Sequence, residues 1–330
     1  MEKTQFANSL IIGCAVNEQP FFLSEIRQEE HFKLQGKEFS GYILTLQDKS
    51  GTIEAFLSKD KVKEEYASYL DAVIKVSGIV LRTENLFIKL DSLSRCEPGE
   101  YESKYFVLGL DATKRKTFSC LLKREIAEIK HEGYKVLLKA VFTDETIEKM
   151  ARYPASLKQF ANYHGGLLVS TASLWHICNN IARSYAICAN GIYSDTAINT
   201  DLLLSAALLH GVGRLREYTE FPYRRSDEAK LQGTVATLQS YLYDVCKEKD
   251  IALSKEDEQA LISTIISAID PRGQVKAVTK EAIILQQALI LFKLCDERDK
   301  IVYDYTGDEN VFYAWQIGAY VKNTKNKEVG

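Results

Sequence analysis

Residues 39–57 read FSGYILTLQDKSGTIEAFL, and they decide the fold of the first hundred residues. The polar turn Asp48-Lys49-Ser50-Gly51 separates two apolar segments, a pattern typical of a β-hairpin. Further strand-like segments are 9–16, 21–26, 72–81 and 85–93, and a short helix-like segment is 58–70. Five strands with a helix after the third predict a small closed barrel, the OB-fold. A fragment of a β-sandwich is the alternative.

The second part of the chain has a helical pattern. The pair Pro98-Gly99 marks the boundary, and apolar residues recur at helical spacing in 116–131. Helix-like sequence continues at 134–142 and 143–152, and again from Gly165 to Tyr320. We therefore expect an α+β protein of two domains. The predicted segments are an OB-like domain (1–97), a helical linker (98–155), a helical domain (156–321) and a polar tail (322–330).

The composition is that of a folded protein rather than a disordered one. Of the 330 residues, 46% are hydrophobic and 26% are charged, which suits two domains with their own cores. The net charge of −3 means that any nucleic-acid contact must come from a local patch. The seven cysteines are odd in number and form no C-x-x-C pair, so we expect a reducing, cytoplasmic environment. Neither a secretory signal nor a membrane-spanning apolar run is expected.

Two stretches of the helical part stand out. Residues 162–171 read NYHGGLLVST, and residues 201–217 read DLLLSAALLHGVGRLRE. The second stretch is an apolar run that ends in His-Gly-x-Gly and a cation. Taken alone, it is typical of a buried helix closed by a glycine, with arginines at its negative C-terminal end.

Together with the barrel, these stretches resemble the YhaM-type 3′-5′ exoribonucleases, which combine an OB-fold with a helical HD domain. The likeness covers roughly residues 8–305 and is carried by residues 44–55, 163–168, 203–213, Glu281-Ala282 and Cys295-Asp296-x-x-Asp299-Lys300. The resemblance implies a five-stranded OB-fold barrel followed by an all-α HD-domain bundle at 156–321.

An HD phosphohydrolase holds one or two divalent metal ions through imidazoles and carboxylates, and the metal activates a water. Most positions at which the resemblance places ligands carry other residue types here. They are Phe160 and Ala161 (a His-His pair), Ser170 (an early His), Gly211 (the Asp of a His-Asp pair), Gly233-Thr234 (Gly-His) and Ser267–Asp270 (Ser-His-His-Gly). His210 and Asp296 remain as metal ligands, and Arg214 replaces the lysine after the central motif.

The five histidines also indicate that metal ligands are missing, because no His-Asp pair and no His-x-x-x-His spacing occurs in the chain. A site with two ligands binds a divalent ion weakly, since each lost ligand removes much of the coordination energy. We therefore expect no tightly bound cofactor, and only a weak or vestigial metal site at His210 and Asp296. The degenerate positions His210, Gly211 and Arg214 are not assigned as catalytic. A core histidine at a helix end is the alternative for His210.

A run of arginines follows the central motif. Guanidinium groups in a pocket that has lost its metal can hold a phosphate without cleaving it. The predicted phosphate-binding residues are Arg214, Arg216, Arg224 and Arg225. A solvated basic face is the alternative.

The barrel is the second candidate binding surface. Alternation places the even-numbered residues of 42–46 and the odd-numbered residues of 53–57 inside, so that Phe39 and Phe56 point outward. OB barrels bind single strands by stacking bases on aromatic side chains beside cations. The predicted nucleic-acid-binding residues are Phe39, Phe56, Lys37, Lys49, Arg82 and Lys89. The alternative is that the phenylalanines pack against the helical domain.

Three functions fit the sequence. The first is a catalytically inactive protein that binds single-stranded RNA or DNA. The second is a 3′-5′ exoribonuclease or phosphohydrolase with a remodelled site, which would use manganese or magnesium. The third is an oligomeric scaffold or a subunit of an active relative. We favour the first, because the missing ligands argue against turnover, and we expect a homo-oligomer with no membrane partner.

Overall fold

The computed structural model describes residues 2–34, 37–83, 85–97, 99–157, 159–188, 197–305 and 307–324. The backbone divides into two compact units. The barrel unit holds the residues up to Gly109 together with Glu220–Pro222, and the helical unit holds the other described residues. Within the described ranges, no helix has the length and the apolar character that crossing a bilayer requires.

The barrel unit is a closed barrel of five strands, as the sequence predicts. The strands are β1 (Ala15–Leu34), β2 (Lys37–Asp48), β3 (Gly51–Ser58), β4 (Val73–Arg82) and β5 (Leu86–Arg95). β1 pairs antiparallel with both β2 and β4, and the hairpins β2–β3 and β4–β5 are also antiparallel. Parallel pairing of β3 with β5 closes the ring. This arrangement is consistent with the predicted OB-fold.

Two local predictions for the barrel are wrong. The segments 9–16 and 21–26 do not form separate strands, because β1 runs continuously through a bulge between Val16 and Gln19. A bulge bends one strand around a small barrel, so the break in the apolar pattern does not mark a chain reversal. The helix predicted at 58–70 consists of two short 3-10 helices, Lys59–Lys61 and Glu64–Tyr69.

Side chains alternate between the two faces of the hairpin as predicted. Leu44, Leu46 and Ala55 are buried in the main cluster inside the barrel. Ile43 and Phe56 belong to a separate cluster on the outer face of the same strands. The assignment of inner and outer faces is therefore confirmed.

Strands β2 and β3 approach each other closely at Gly41. A Cβ atom placed on Gly41 would lie 2.2 Å from the carbonyl oxygen of Leu57, far inside van der Waals contact. Glycine is therefore required for this close approach of the two backbones.

The helical unit contains helices of very different lengths. They are α1 (Ala112–Glu128), α2 (Glu132–Val141), α3 (Asp144–Met150), α4 (Gly166–Cys188), α5 (Thr200–Leu209), α6 (Arg214–Glu217), α7 (Asp227–Glu248), α8 (Lys255–Ile269) and α9 (Lys280–Asp304). A hairpin follows them, formed by β6 (Val311–Ala314) and β7 (Ala319–Lys322).

This hairpin corrects the prediction of helical structure up to Tyr320. Phe312 and Ala314 alternate with exposed residues along β6, and they pack against Ile301 near the end of α9. Gly318 adopts φ 61° between the two strands, a conformation that favours glycine. Four residues of alternation are too few to identify a strand in a region of helical pattern.

Helix α5 lies at the centre of the helical core. Every residue from Leu202 to Leu209 is buried, as expected for the apolar stretch that begins at Asp201. Asn199 caps the helix by accepting a hydrogen bond from the backbone N–H of Leu202. The helices within 98–155 supply side chains such as Leu122 and Met150 to the same core.

A carboxyl group is buried between α1 and α4. Glu125 has no exposed surface, and its Oε1 lies 2.8 Å from Nε2 of His176. Burial raises the pKa of Glu125 to about 7 and lowers the pKa of His176. No described group donates a hydrogen bond to either carboxyl oxygen, and burial without donors favours the neutral form of the carboxyl.

Candidate functional site

The outer face of β2 and β3 carries a group of aromatic rings, here called the phenylalanine cluster, which consists of Phe32, Phe39, Phe56 and Phe87. Phe32 stacks on Phe56 with a centroid distance of 4.3 Å and meets the edge of Phe87 at 5.1 Å. Phe39 approaches Phe56 edge-on at 6.4 Å. Phe56 and Phe87 are buried, whereas Phe32 and Phe39 remain partly exposed.

The structure revises which of these rings are accessible. Phe56 lies on the outer face as predicted, but it is 1% exposed because Phe32 covers it. Phe39 is partly exposed, and it pairs directly with Phe32 across the β1–β2 hairpin. The sequence analysis missed Phe32, because it ended the strand at residue 26. Extending the strand to Leu34 would have paired the two phenylalanines.

The predicted cations of the barrel do not all lie beside this cluster. Lys89 pairs with Phe56 in the β3–β5 register, and Arg82 is exposed at the end of β4, next to Leu81, which packs against the phenylalanine cluster. Lys49 lies at the other end of β2 from Phe39, and its ammonium group is 5.0 Å from the ring centroid of Phe6. The side chain of Lys37 lies outside the described residues.

In the helical unit, several positions of the HD resemblance converge on one cavity of about 30 Å³. Residues matched to HD ligand positions, or lying within those motifs, line it: Phe160, Ser170, His210, Gly211, Arg214 and Ile269. The other lining residues are Ala155, Leu167, Leu289 and Lys293. Gly233 and Thr234 do not line the cavity, and Thr234 donates a hydrogen bond to Glu217 instead. We call this space the α5–α9 cavity.

His210 is the C-cap of α5 and is a neutral imidazole at neutral pH. Burial, together with the nearby charges of Arg214 and Lys293, lowers its pKa to about 4. Its Nδ1 lies 2.7 Å from the carbonyl oxygen of Ala207. This contact assigns the ring proton to Nδ1 and leaves Nε2 as an acceptor.

Asp296 does not line the α5–α9 cavity with His210. Its Oδ2 accepts a hydrogen bond of 2.6 Å from the backbone N–H of Ala161, which adopts φ 43°. Burial raises the pKa of Asp296. The carboxylate therefore stabilises a left-handed backbone residue in the loop before α4.

The donor set does not fit the divalent metal that the HD resemblance implies. Over the described ranges, no group of three or more histidine, cysteine, aspartate or glutamate side chains could hold a metal ion. His210 is the one imidazole in the lining of the α5–α9 cavity, where Ser170 and Gly211 stand at positions that the resemblance matches to ligands.

The four predicted phosphate-binding arginines do not share one surface. Arg214 forms an ion pair with buried Glu217, whose other oxygen lies 2.9 Å from a terminal nitrogen of Arg225. Arg216 pairs with Asp244 at 2.5 Å.

The last of the four, Arg224, is exposed, and its backbone N–H donates to Oγ1 of Thr219 at 3.0 Å. Arg214 is thus the member of the set that lines the α5–α9 cavity.

Lys293 is a cation of the cavity that the sequence analysis missed. It lies in α9 within the apolar run 288–294, and its ammonium group is 5.0 Å from the ring centroid of Phe160. Burial and the charge of Arg214 lower its pKa. A single lysine in an apolar helical run was the available signal, since such a residue either reaches the surface or faces a polar cavity.

The chain thus consists of an OB-type barrel followed by a helical domain. No family model matches the chain. A protein of Oceanobacillus iheyensis named 3′-5′ exoribonuclease YhaM is 23% identical over 205 residues, which cover 56% of this chain and 61% of that protein. The match therefore spans less than two thirds of that relative, and it supports a YhaM-like relationship.

Proposed function

We propose that this chain is a relative of the 3′-5′ exoribonucleases that binds single-stranded RNA on the outer face of its barrel without cleaving it. The phenylalanine cluster carries the proposal. Phe32 and Phe39 present partly exposed rings on a buried support of Phe56 and Phe87. Rings held by such packing lose little freedom when a base stacks on them, and each stacked base contributes about 1–3 kcal/mol.

The position of the cluster matches this role. OB-folds bind oligonucleotides on strands two and three and at the connections β1–β2 and β4–β5. Phe32 and Phe39 lie near the first connection, and Leu81 and Phe87 lie near the second. The name of the similar protein, an exoribonuclease, favours RNA over DNA as the polymer.

The charges around the cluster suit weak electrostatic attraction. Lys89 and Arg82 are the nearby cations, while Glu54 of β3 is paired with Arg27 at 2.8 Å. Two phosphate contacts on a single strand give a slope of about −1.4 for log K against log salt. We therefore expect stacking to contribute more to the affinity than phosphate contacts.

The side chains of the α5–α9 cavity support the absence of cleavage. Its lining offers one neutral imidazole, His210, and two cations, Arg214 and Lys293. A divalent ion needs several anionic or imidazole donors to remain bound while it activates a water. Cationic side chains at this place repel such an ion.

Fluorescence anisotropy with a labelled 12-nucleotide RNA tests the binding. We expect Phe32→Ala and Phe39→Ala each to weaken binding by about 1–3 kcal/mol, which is roughly 5- to 150-fold. Tyr69→Ala is the matched control, because this partly buried ring packs on the interior cluster of the same barrel. Equal affinity in all four proteins, or no binding by the unmodified chain, would rule out this face as the interface.

A gel assay on labelled RNA with manganese tests the second part of the proposal. We expect no shortening of the RNA. Shortening that disappears in His210→Ala would establish the alternative, a metal-dependent exoribonuclease with a remodelled site.

We also propose that the chain forms a homo-oligomer through its helical unit. Helix α9 carries several exposed aliphatic side chains along its length, which are Ile283, Ile290, Leu291 and Leu294. Sedimentation velocity measures the assembly. A stable oligomer without affinity for RNA would favour the scaffold function over the binding function.

A further inference from the structure

Two cationic side chains enter the α5–α9 cavity from different helices. Arg214 belongs to α6 and Lys293 to α9, and both line the cavity beside His210 and Ser170. No acidic side chain of the described residues lines it. Two positive charges therefore converge on a small space whose walls supply no negative charge.

The two cations differ in their partners. Arg214 forms an ion pair with Glu217, which Arg225 shares. Lys293 forms no ion pair with any carboxylate of the described residues, and its ammonium group lies 5.0 Å from the ring centroid of Phe160. A partly buried ammonium beside a guanidinium has lost water without gaining a counter-charge, and this costs free energy. An anion in the cavity would supply the missing charge.

We propose that the α5–α9 cavity binds a phosphate-type oxyanion between Lys293 and Arg214. The guanidinium engages Glu217 through one nitrogen and retains N–H donors that match phosphate oxygens, and the ammonium adds a compact positive charge. The unprotonated nitrogen of His210 suits a hydrogenphosphate hydroxyl as an acceptor. This site is independent of the phenylalanine cluster and of RNA binding by the barrel.

The size of the cavity limits the ligand. One water-sized atom needs about 10–15 Å³ of such volume, so 30 Å³ admits two or three oxygen atoms. The end of a phosphate group fits, while a sugar or a base attached to it remains at the mouth. Inorganic phosphate and a terminal phosphate ester are therefore the two sources to distinguish.

Isothermal titration calorimetry on the full chain tests the site with two probes, inorganic phosphate and adenosine 3′-monophosphate, at constant ionic strength. We expect the unmodified protein to bind at least one probe, and Lys293→Gln to weaken that binding tenfold or more. Lys293→Arg keeps the positive charge and should retain most of the affinity. Lys300→Gln is the matched control, because this exposed lysine lies on the same helix and pairs with Asp304.

The outcomes separate cleanly. Similar affinity for the two probes identifies inorganic phosphate as sufficient, and at least tenfold tighter binding of the nucleotide identifies a phosphate ester. No binding of either probe at 10 mM, or equal binding by Lys293→Gln and the unmodified protein, overturns the proposal. Phe32→Ala should leave phosphate binding unchanged, so failure of RNA binding and failure of this site are distinguishable.

Discussion

Replacing Glu125 by glutamine should stabilise the helical unit more at pH 8 than at pH 6. Glu125 is buried 2.8 Å from His176, and burial raises its pKa from 4.5 to about 7. Because the folded-state pKa is the higher one, the stability that this carboxyl contributes is fully present below about pH 4.5 and is lost as the pH rises through 7. Glutamine retains a donor toward His176 and has no proton to lose.

The magnitude follows from the difference between the two pKa values. With a folded pKa of about 7, the carboxyl passes from about 90% to about 10% protonated between pH 6 and pH 8, while the unfolded chain stays ionised. The unmodified protein then loses about 1.4 kcal/mol relative to Glu125→Gln over this interval. Across pH 4.5 to 8 the difference has an upper value of about 3 kcal/mol. His176 has a lowered pKa, which acts in the opposite direction. Because it lies 2.8 Å from Glu125, the two groups titrate as a pair, and the measured difference reports the pair.

Urea unfolding followed by far-UV circular dichroism at pH 6, 7 and 8 measures the effect on the helical transition. Glu148→Gln is the control, because Glu148 is exposed on α3 of the same unit, away from Glu125 and His176. Its difference from the unmodified protein should stay constant with pH. If the free-energy difference for Glu125→Gln is also the same at pH 6 and pH 8, the carboxyl is not neutral in the folded protein and the reasoning fails.

Two further substitutions test the packing of each unit. Gly41→Ala should destabilise the barrel by about 2–4 kcal/mol, because its Cβ would lie 2.2 Å from the carbonyl oxygen of Leu57. A loss below about 0.5 kcal/mol in urea unfolding would contradict the close approach. Glu217→Gln should destabilise the helical unit by about 1–3 kcal/mol, because the buried carboxylate is the shared partner of Arg214 and Arg225. Both arginines are partly exposed, and solvent screening limits the loss of stability. Thermal unfolding measures this, and an unchanged midpoint would argue against a stabilising role of these two ion pairs.

The barrel was largely predictable because its signals are local. Alternation along 39–57 and the polar turn within it specify a hairpin and its inner face, and a strand residue needs only its neighbours in sequence to show which way it points. The same property limits the prediction. Alternation places Phe56 on the outer face, but whether another ring covers it depends on Phe32, which is 24 positions away and reaches it only through a strand that bends.

The residues around the α5–α9 cavity also separate what local sequence predicts from what only tertiary contacts decide. The sequence by itself indicated a helical bundle, and the resemblance matched Ser170 and Gly211 to metal-ligand positions. Only the tertiary structure decided that Lys293 joins Arg214 at the cavity, and that Asp296 binds the backbone N–H of Ala161 instead of lining it. The physical reason is that helical periodicity and residue type are properties of short segments. The burial and the partner of a charged group depend on contacts between distant segments, which exist only when the chain is folded.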